Sequence, residues 1–317
     1  MQAVNVSQMF RARCGRVLQM RPVPLVRPAR LAGMSTDAIA IPQGRITHGI
    51  AQLVRFGWVQ VQCCAFAVAI FAGLALSAVV PLPLARYDAL LIYAIVLTGL
   101  FWLLGVETGR EVATIGVFHL VGLGLEIFKV HVGSWSYPDE GLLRVGGVPL
   151  YSGFMYASVG SYICQAFRRF DLHVTGLRVV PTALLALAAY VNFFTHHVLP
   201  DMRWWIAAGF VVVLWGCRVA FTVGTRRYTL ALSVSFVLIG FFLWVAENAG
   251  TLLGAWRYPS QEEIWAMVHA GKWGSWALLV SLSFMLVALL RMRDGAVEPR
   301  RRGAGQAPVA PSSAGAR

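Results

Sequence analysis

The chain has 317 residues, of which 58% are hydrophobic and 13% charged, with a formal net charge of +13. A soluble domain carries about 25% charged residues, and one core of this size could not hide so much apolar surface. An ordinary soluble domain is excluded, and so is nucleic acid as a partner, because no soluble basic domain exists to bind it. Membrane lipid is the partner implied: Lys and Arg set between apolar runs orient helices and meet anionic headgroups.

In chain order, residues 1–47 form a basic extension expected to be disordered. Its first 33 residues hold six Arg and no acid, which is transit-peptide composition. No apolar signal core precedes residue 58, so a translation start at Met34 accounts for them better. A spanning helix needs about 20 mostly apolar residues. Such runs lie at 58–80, 87–107, 112–132, 148–167, 179–199, 203–221, 229–250 and 273–291. They predict an all-α membrane protein of eight transmembrane helices. Glu107 and Glu111, on either side of Arg110, read as a solvated helix-end cluster. Cys63, Cys64, Cys164 and Cys217 lie in or beside apolar runs, with Cys14 upstream, and none makes a CxxC pair. They read as packing residues. From 294 to 317 the chain is Gly, Ala, Pro, Ser and Arg, the composition of a disordered basic tail.

Basic residues divide unevenly between the two sides of these spans. Arg86, Lys129, Arg144, Arg203, Arg257 and Lys272 fall on one side, and the other twenty-one of the 27 fall opposite. The positive-inside rule therefore predicts both termini in the cytoplasm.

A duplication organises the spans. Glu126, Gly133, Trp135, Tyr137 and Pro138 recur as Glu247, Gly254, Trp256, Tyr258 and Pro259, each 121 residues on. The pattern is E-x6-G-x-W-x-Y-P, and Gly153 and Gly274 keep the offset. Adding 121 maps the first four spans onto the last four. Two four-helix units, 48–170 and 171–293, are thus predicted as a tandem parallel repeat. Gly ends each helix, Pro stops its resumption, and Trp and Tyr suit the headgroup boundary. None of these roles explains the two glutamates.

An ionised group inside a span costs a few kcal/mol even on lenient scales and faces a bundle interior or cavity. Glu126 and Glu247 are such groups, read as acid and base with symmetric positions. His119 lies two turns before Glu126 on the same helix face, and Lys129 lies just after it. Asn192 and His196 share a face near the outer end of the fifth span, with His197 beside them. His119 and His196 read as proton relays. Trp135, Tyr137, Trp256, Tyr258, Lys129 and Asn192 read as the walls of a substrate pocket. Three readings stay open: polar glue between helices, an acid–base site, and a proton or cation path in a transporter. No HExxH, His-rich box or Asp-rich motif points to a metal, and no cofactor is implied.

At these residues the chain resembles a known family. The stretch F-H-L-V-G-L-G-L-E-I-F-K-V around His119, then G-S-W-S-Y-P, G-G-V-P-L-Y-S-G-F-M-Y-A and V-G-S-Y to Tyr162, is similar to the bacterial integral membrane family catalogued as domain of unknown function 817. W-V-A-E-N and W-R-Y-P-S-Q resemble it too, so the likeness covers about residues 48–292. It implies a multi-pass protein of the bacterial inner membrane and no particular reaction. A fainter likeness is to membrane carotenoid cyclases and hydratases of the lycopene cyclase type. They carry an acidic residue in a helix, then Gly and an aromatic-x-aromatic pair. That likeness implies acid chemistry on an isoprenoid-like, lipid-soluble substrate, with Glu126 or Glu247 as the acid. Where those cyclases have Pro-Glu-Glu, this chain reads Val148-Pro149-Leu150-Tyr151.

Overall fold

In the computed structural model, which describes residues 45–300, the apolar runs fold as helices around two closely packed pairs. The first apolar run is two helices, α1 (Arg45–Cys63) and α2 (Ala65–Val79), and not a single straight span from 58. Their axes bend by 66° at Cys64. Next come α3 (Arg86–Leu103), α4 (Gly109–His131), α5 (Gly153–Arg169), α6 (Val179–Thr195), α7 (Arg203–Val213), α8 (Leu232–Leu252) and α9 (Gly271–Met292).

Among the described residues, α3, α4, α8 and α9 are long and apolar enough to cross a membrane. The bent α1–α2 pair makes a fifth if counted as one span. Eight were expected, and the shortfall has physical causes. Helix α5 is walled by protein on most sides, so Ser158, Ser161 and Gln165 are buried there in place of lipid-facing Leu or Val. Helix α6 stops at Thr195, before His196 and His197. Helix α7 ends at Val213, because Trp215 and Gly216 turn the chain, Gly216 with φ +79°.

The expectation of an all-α chain is corrected. The apolar run 203–221 ends in a strand, β4 (Arg218–Val223), which forms an antiparallel hairpin with β5 (Arg226–Ala231). Strand β3 (His173–Leu177) pairs antiparallel with β4 and parallel with β6 (Val297–Pro299), giving the order β5-β4-β3-β6. Residues 219–223 are buried or half-buried on both faces of the strand, a short apolar run that periodicity alone cannot tell from buried helix. Residues 297–299, expected within a disordered tail, are strand; residues 301–317 and the extension before 45 lie outside the described residues. A two-stranded ladder, β1 (Arg144–Val145) with β2 (Val148–Pro149), closes the loop after α4.

Helix α4 packs on α5 and α8 packs on α9; α2 lies against α5 and α6 against α9; α5 and α9 meet each other. Gly122 admits the Tyr156 ring, and Gly240 admits the backbone of Ala277, where an added Cβ would fall 2.6 Å from its nitrogen. Large apolar side chains such as Leu76, Leu120, Leu184 and Trp204 are mostly exposed. That surface suits lipid and would be a liability in water.

At the Arg-rich end, Thr108 and Glu111 form a capping box that starts α4. Glu111 also pairs with Arg168 at 3.4 Å and Arg291 at 3.1 Å. Glu107 and Glu111 are 1% and 4% exposed, so they are a buried polar junction and not a solvated cluster.

Candidate functional site

Gly133 and Gly254 take φ of +69° and +70°, a left-handed turn that only glycine adopts cheaply. Each turn ends a helix and sends the following aromatic residues back towards that helix's own glutamate. In the first motif Trp135 Nε1 and Tyr137 Oη both donate to Glu126 Oε2 at 2.6 Å, and Tyr156 Oη, from α5, donates to Oε1 at 2.6 Å. In the second, Tyr258 Oη donates to Glu247 Oε1, and Trp276 Nε1, from α9, donates to Oε2 at 2.8 Å. Each carboxylate is therefore buried and met only by donors, as an acceptor in a low-dielectric site requires. Burial raises the Tyr137 and Tyr258 phenols well above their usual range, so both keep the protons they donate.

The two indoles reach their carboxylates by different routes. In the second motif Trp256 packs over Gly250, and a Cβ there would collide with its ring. The corresponding place in the first motif is Lys129, which leaves no such seat. Trp135 instead turns to Glu126, and α9 supplies Trp276 to Glu247. The motifs also touch each other: Ser136 and Arg257 exchange both backbone hydrogen bonds at 2.9 Å. Trp135 lies edge-on to Tyr258 with centroids 5.9 Å apart, and Tyr156 lies 6.5 Å from Trp276. Aromatic pairs thus span from the donors of one carboxylate to the donors of the other.

Glu126 and Glu247 line the same cavity, of about 580 Å³. Its wall is otherwise mainly apolar, running from Phe56, Gln60 and Cys64 past Phe242 and Leu243 to Lys272. That volume lies in the range of roughly 300–1,000 Å³ typical of small-molecule sites. A second cavity of about 440 Å³ adjoins it and shares Trp135, Phe193, Tyr258, Lys272, Ser275 and Leu279.

The expected site residues separate into two groups. Glu126, Glu247, Trp135, Tyr137, Trp256 and Tyr258 come together on the first cavity. Lys129, Asn192 and His196 line the second. Lys129 does not reach Glu126: its Nζ hydrogen-bonds His197 Nε2 at 2.9 Å and lies 3.9 Å from the centre of the Phe193 ring. Asn192 ties down the turn after α6, donating to Asp201 at 3.0 Å and accepting from the Met202 amide at 2.8 Å. His119 packs against Phe154, with ring centres 4.5 Å apart, and its buried Nδ1 has no protein partner among the described residues; it lines neither cavity. Among the described residues no three His, Cys, Asp or Glu side chains converge as metal ligands would.

Sequence reasoning missed Tyr156, Trp276 and Lys272. Tyr156 and Trp276 serve matching roles but differ by 120 residues, one short of the motif offset, so the duplication points to Ala277 instead. Lys272, at the start of α9, carried a weak signal as a basic residue on the sparsely charged side.

Residues 52–284 match the model of a family described as "Protein of unknown function (DUF817)". The chain is 51% identical over 251 residues to "Uncharacterized protein YoaT" of Bacillus subtilis (strain 168), covering 77% of this chain and 93% of that protein. No solved structure matches.

Proposed function

The chain belongs to the DUF817 family, and from that premise we propose that it is a multi-pass inner-membrane enzyme exchanging protons with a lipid-soluble, isoprenoid-like substrate. One observation carries the reading: two buried carboxylates, from separate halves of the sequence, line a single mainly apolar cavity. A carboxyl on one side would deliver a proton to a double bond while a carboxylate on the other removes one from a neighbouring carbon. The net change is a moved double bond, with the protons balanced. Glu126 and Glu247 would hold these roles, and Tyr137, Tyr156 and Tyr258 would orient them.

We read the two halves as a tandem repeat whose eight apolar segments all cross or enter the bilayer, with both termini in the cytoplasm. The matched pairings α4–α5 with α8–α9 and α2–α5 with α6–α9 support this, as does the bridge between Ser136 and Arg257, themselves 121 residues apart. A transport role is the second reading. It is favoured by the adjoining cavities, which together run towards the side bearing Lys129 and Lys272.

The test is the lipid extract of cells overproducing the protein or its Glu126→Gln and Glu247→Gln variants. An altered lipid that disappears in both variants at equal protein levels supports the enzyme. Unchanged lipids with reduced proton-coupled uptake support transport. Unchanged lipids and uptake contradict both.

A further inference from the structure

The second cavity has a charge character opposite to the first. Lys129, Lys272, Arg203 and His197 line it, with His196 and His269, and no Asp or Glu does among the described residues. Arg203 is paired with Asp201 behind the wall. The two lysines are not so paired. Lys129 is 2% exposed, and its polar partner is the His197 ring. Lys272 donates to Tyr258 Oη at 3.3 Å and lies 4.6 Å from the centre of that ring. Among the described residues neither lysine has a carboxylate within salt-bridge distance. Glu247 and Glu126 attract Lys272 from the adjoining cavity without touching it, so two ammonium groups stand at the wall of one recess with no anion in contact, which is costly and which an anion entering there would relieve.

The recess is also joined to the apolar cavity. Lys272, Tyr258 and Trp135 belong to both. A ligand filling the two would be charged at one end and apolar along the rest, like a lipid with a compact anionic head. We infer that the basic recess holds the phosphate of a phosphate-bearing lipid whose hydrocarbon chain lies beside Glu126 and Glu247. The phosphate sits between Lys129 and Lys272, and Trp135 and Tyr258 form the collar where head meets chain. The placement of the chain rests on the reading of the first cavity as a lipid-substrate site; the phosphate seat rests on the lysines.

The test is calorimetric titration of the full chain in detergent with geranylgeranyl phosphate, geranylgeraniol and inorganic phosphate. Charge-assisted hydrogen bonds from two lysines should make the phosphate ester bind about tenfold or more tighter than the alcohol. Lys272→Gln should bring that ratio close to one, and Lys272→Arg should keep it. Lys129→Gln should also reduce it, but Lys129 is more deeply buried, so Lys272 carries the test if that variant does not fold. The ratio is read within each variant, so a general loss of binding does not mimic it. Equal binding of ester and alcohol, or a ratio unchanged in Lys272→Gln, would overturn the inference. Inorganic phosphate binding as tightly as the ester would overturn it too, by making free phosphate the ligand. The ratio is a binding measurement and needs no turnover. An acid–base reading that fails in the lipid extracts therefore leaves this result standing, and the reverse also holds.

Discussion

Glu107 lies at the Arg-rich end of the bundle, past the end of α3, with Ser161 Oγ donating to its Oε1 at 2.5 Å and its Oε2 buried without a partner among the described residues. Burial, offset by the Ser161 hydrogen bond and reinforced by Glu111, pushes its pKa up from 4.5 to about 7. The folded form therefore holds its proton where the unfolded chain releases it. The resulting stability is fully present below 4.5 and is lost as pH rises through about 7. Glu107→Gln should match the wild type near pH 5 and exceed it near pH 8 by on the order of 1–3 kcal/mol, read from thermal melting in detergent. Parallel melting profiles for the two proteins would contradict this. Residue by residue, the site was partly legible. The cost of a carboxylate in a span singled out Glu126 and Glu247. Trp135, Tyr137 and Tyr258 could be read as headgroup anchors or pocket walls, but not as donors to the glutamates, because their return depends on the turns at Gly133 and Gly254. Tyr156 and Trp276 come from other helices, and nothing local in sequence ties them to a carboxylate about 30 residues away.

The helix pairs that carry the carboxylates depend on small residues where backbones approach. In α8, Gly240 faces the backbone of Ala277 in α9, so an added methyl group forces the two helices apart. Gly240→Ala should cost about 1–3 kcal/mol as an overpacked contact. Gly124, in α4, has open space around it, with no neighbour within 4 Å of where an added methyl group would sit. Gly124→Ala should be neutral or stabilising by up to about 1 kcal/mol, since alanine is the better helix former. Melting of the two variants in the same detergent checks the contrast, and equal losses would sink it. At this scale α4, α8 and α9 were legible because their apolar runs are long and uninterrupted. The sheet was not. Arg218–Val223 and Arg226–Ala231 are two short segments joined at Gly224, and six residues without clear alternation are too few to separate a period of two from a period of 3.6. The kink at Cys64 was also invisible, since no proline or glycine marks it.

For the whole molecule, composition alone excludes an ordinary soluble domain, and the 121-residue offset pairs the two motifs that meet in space. What the offset could not supply is the separation of charge: carboxylates on an apolar cavity, and lysines on a basic recess beside it. That division arises where the halves differ, at Lys129 against Gly250 and at Lys272 against Tyr151. The central claim is that Glu126 and Glu247 serve one lipid-binding cavity. It is tested most directly by labelling the membrane-embedded protein with an apolar carbodiimide, which modifies carboxyl groups, and mapping the modified residues by mass spectrometry as geranylgeraniol is titrated in. Labelling at Glu126 and at Glu247 should fall together, with one shared midpoint. Protection of one glutamate alone, of neither, or of each at a different concentration would contradict it.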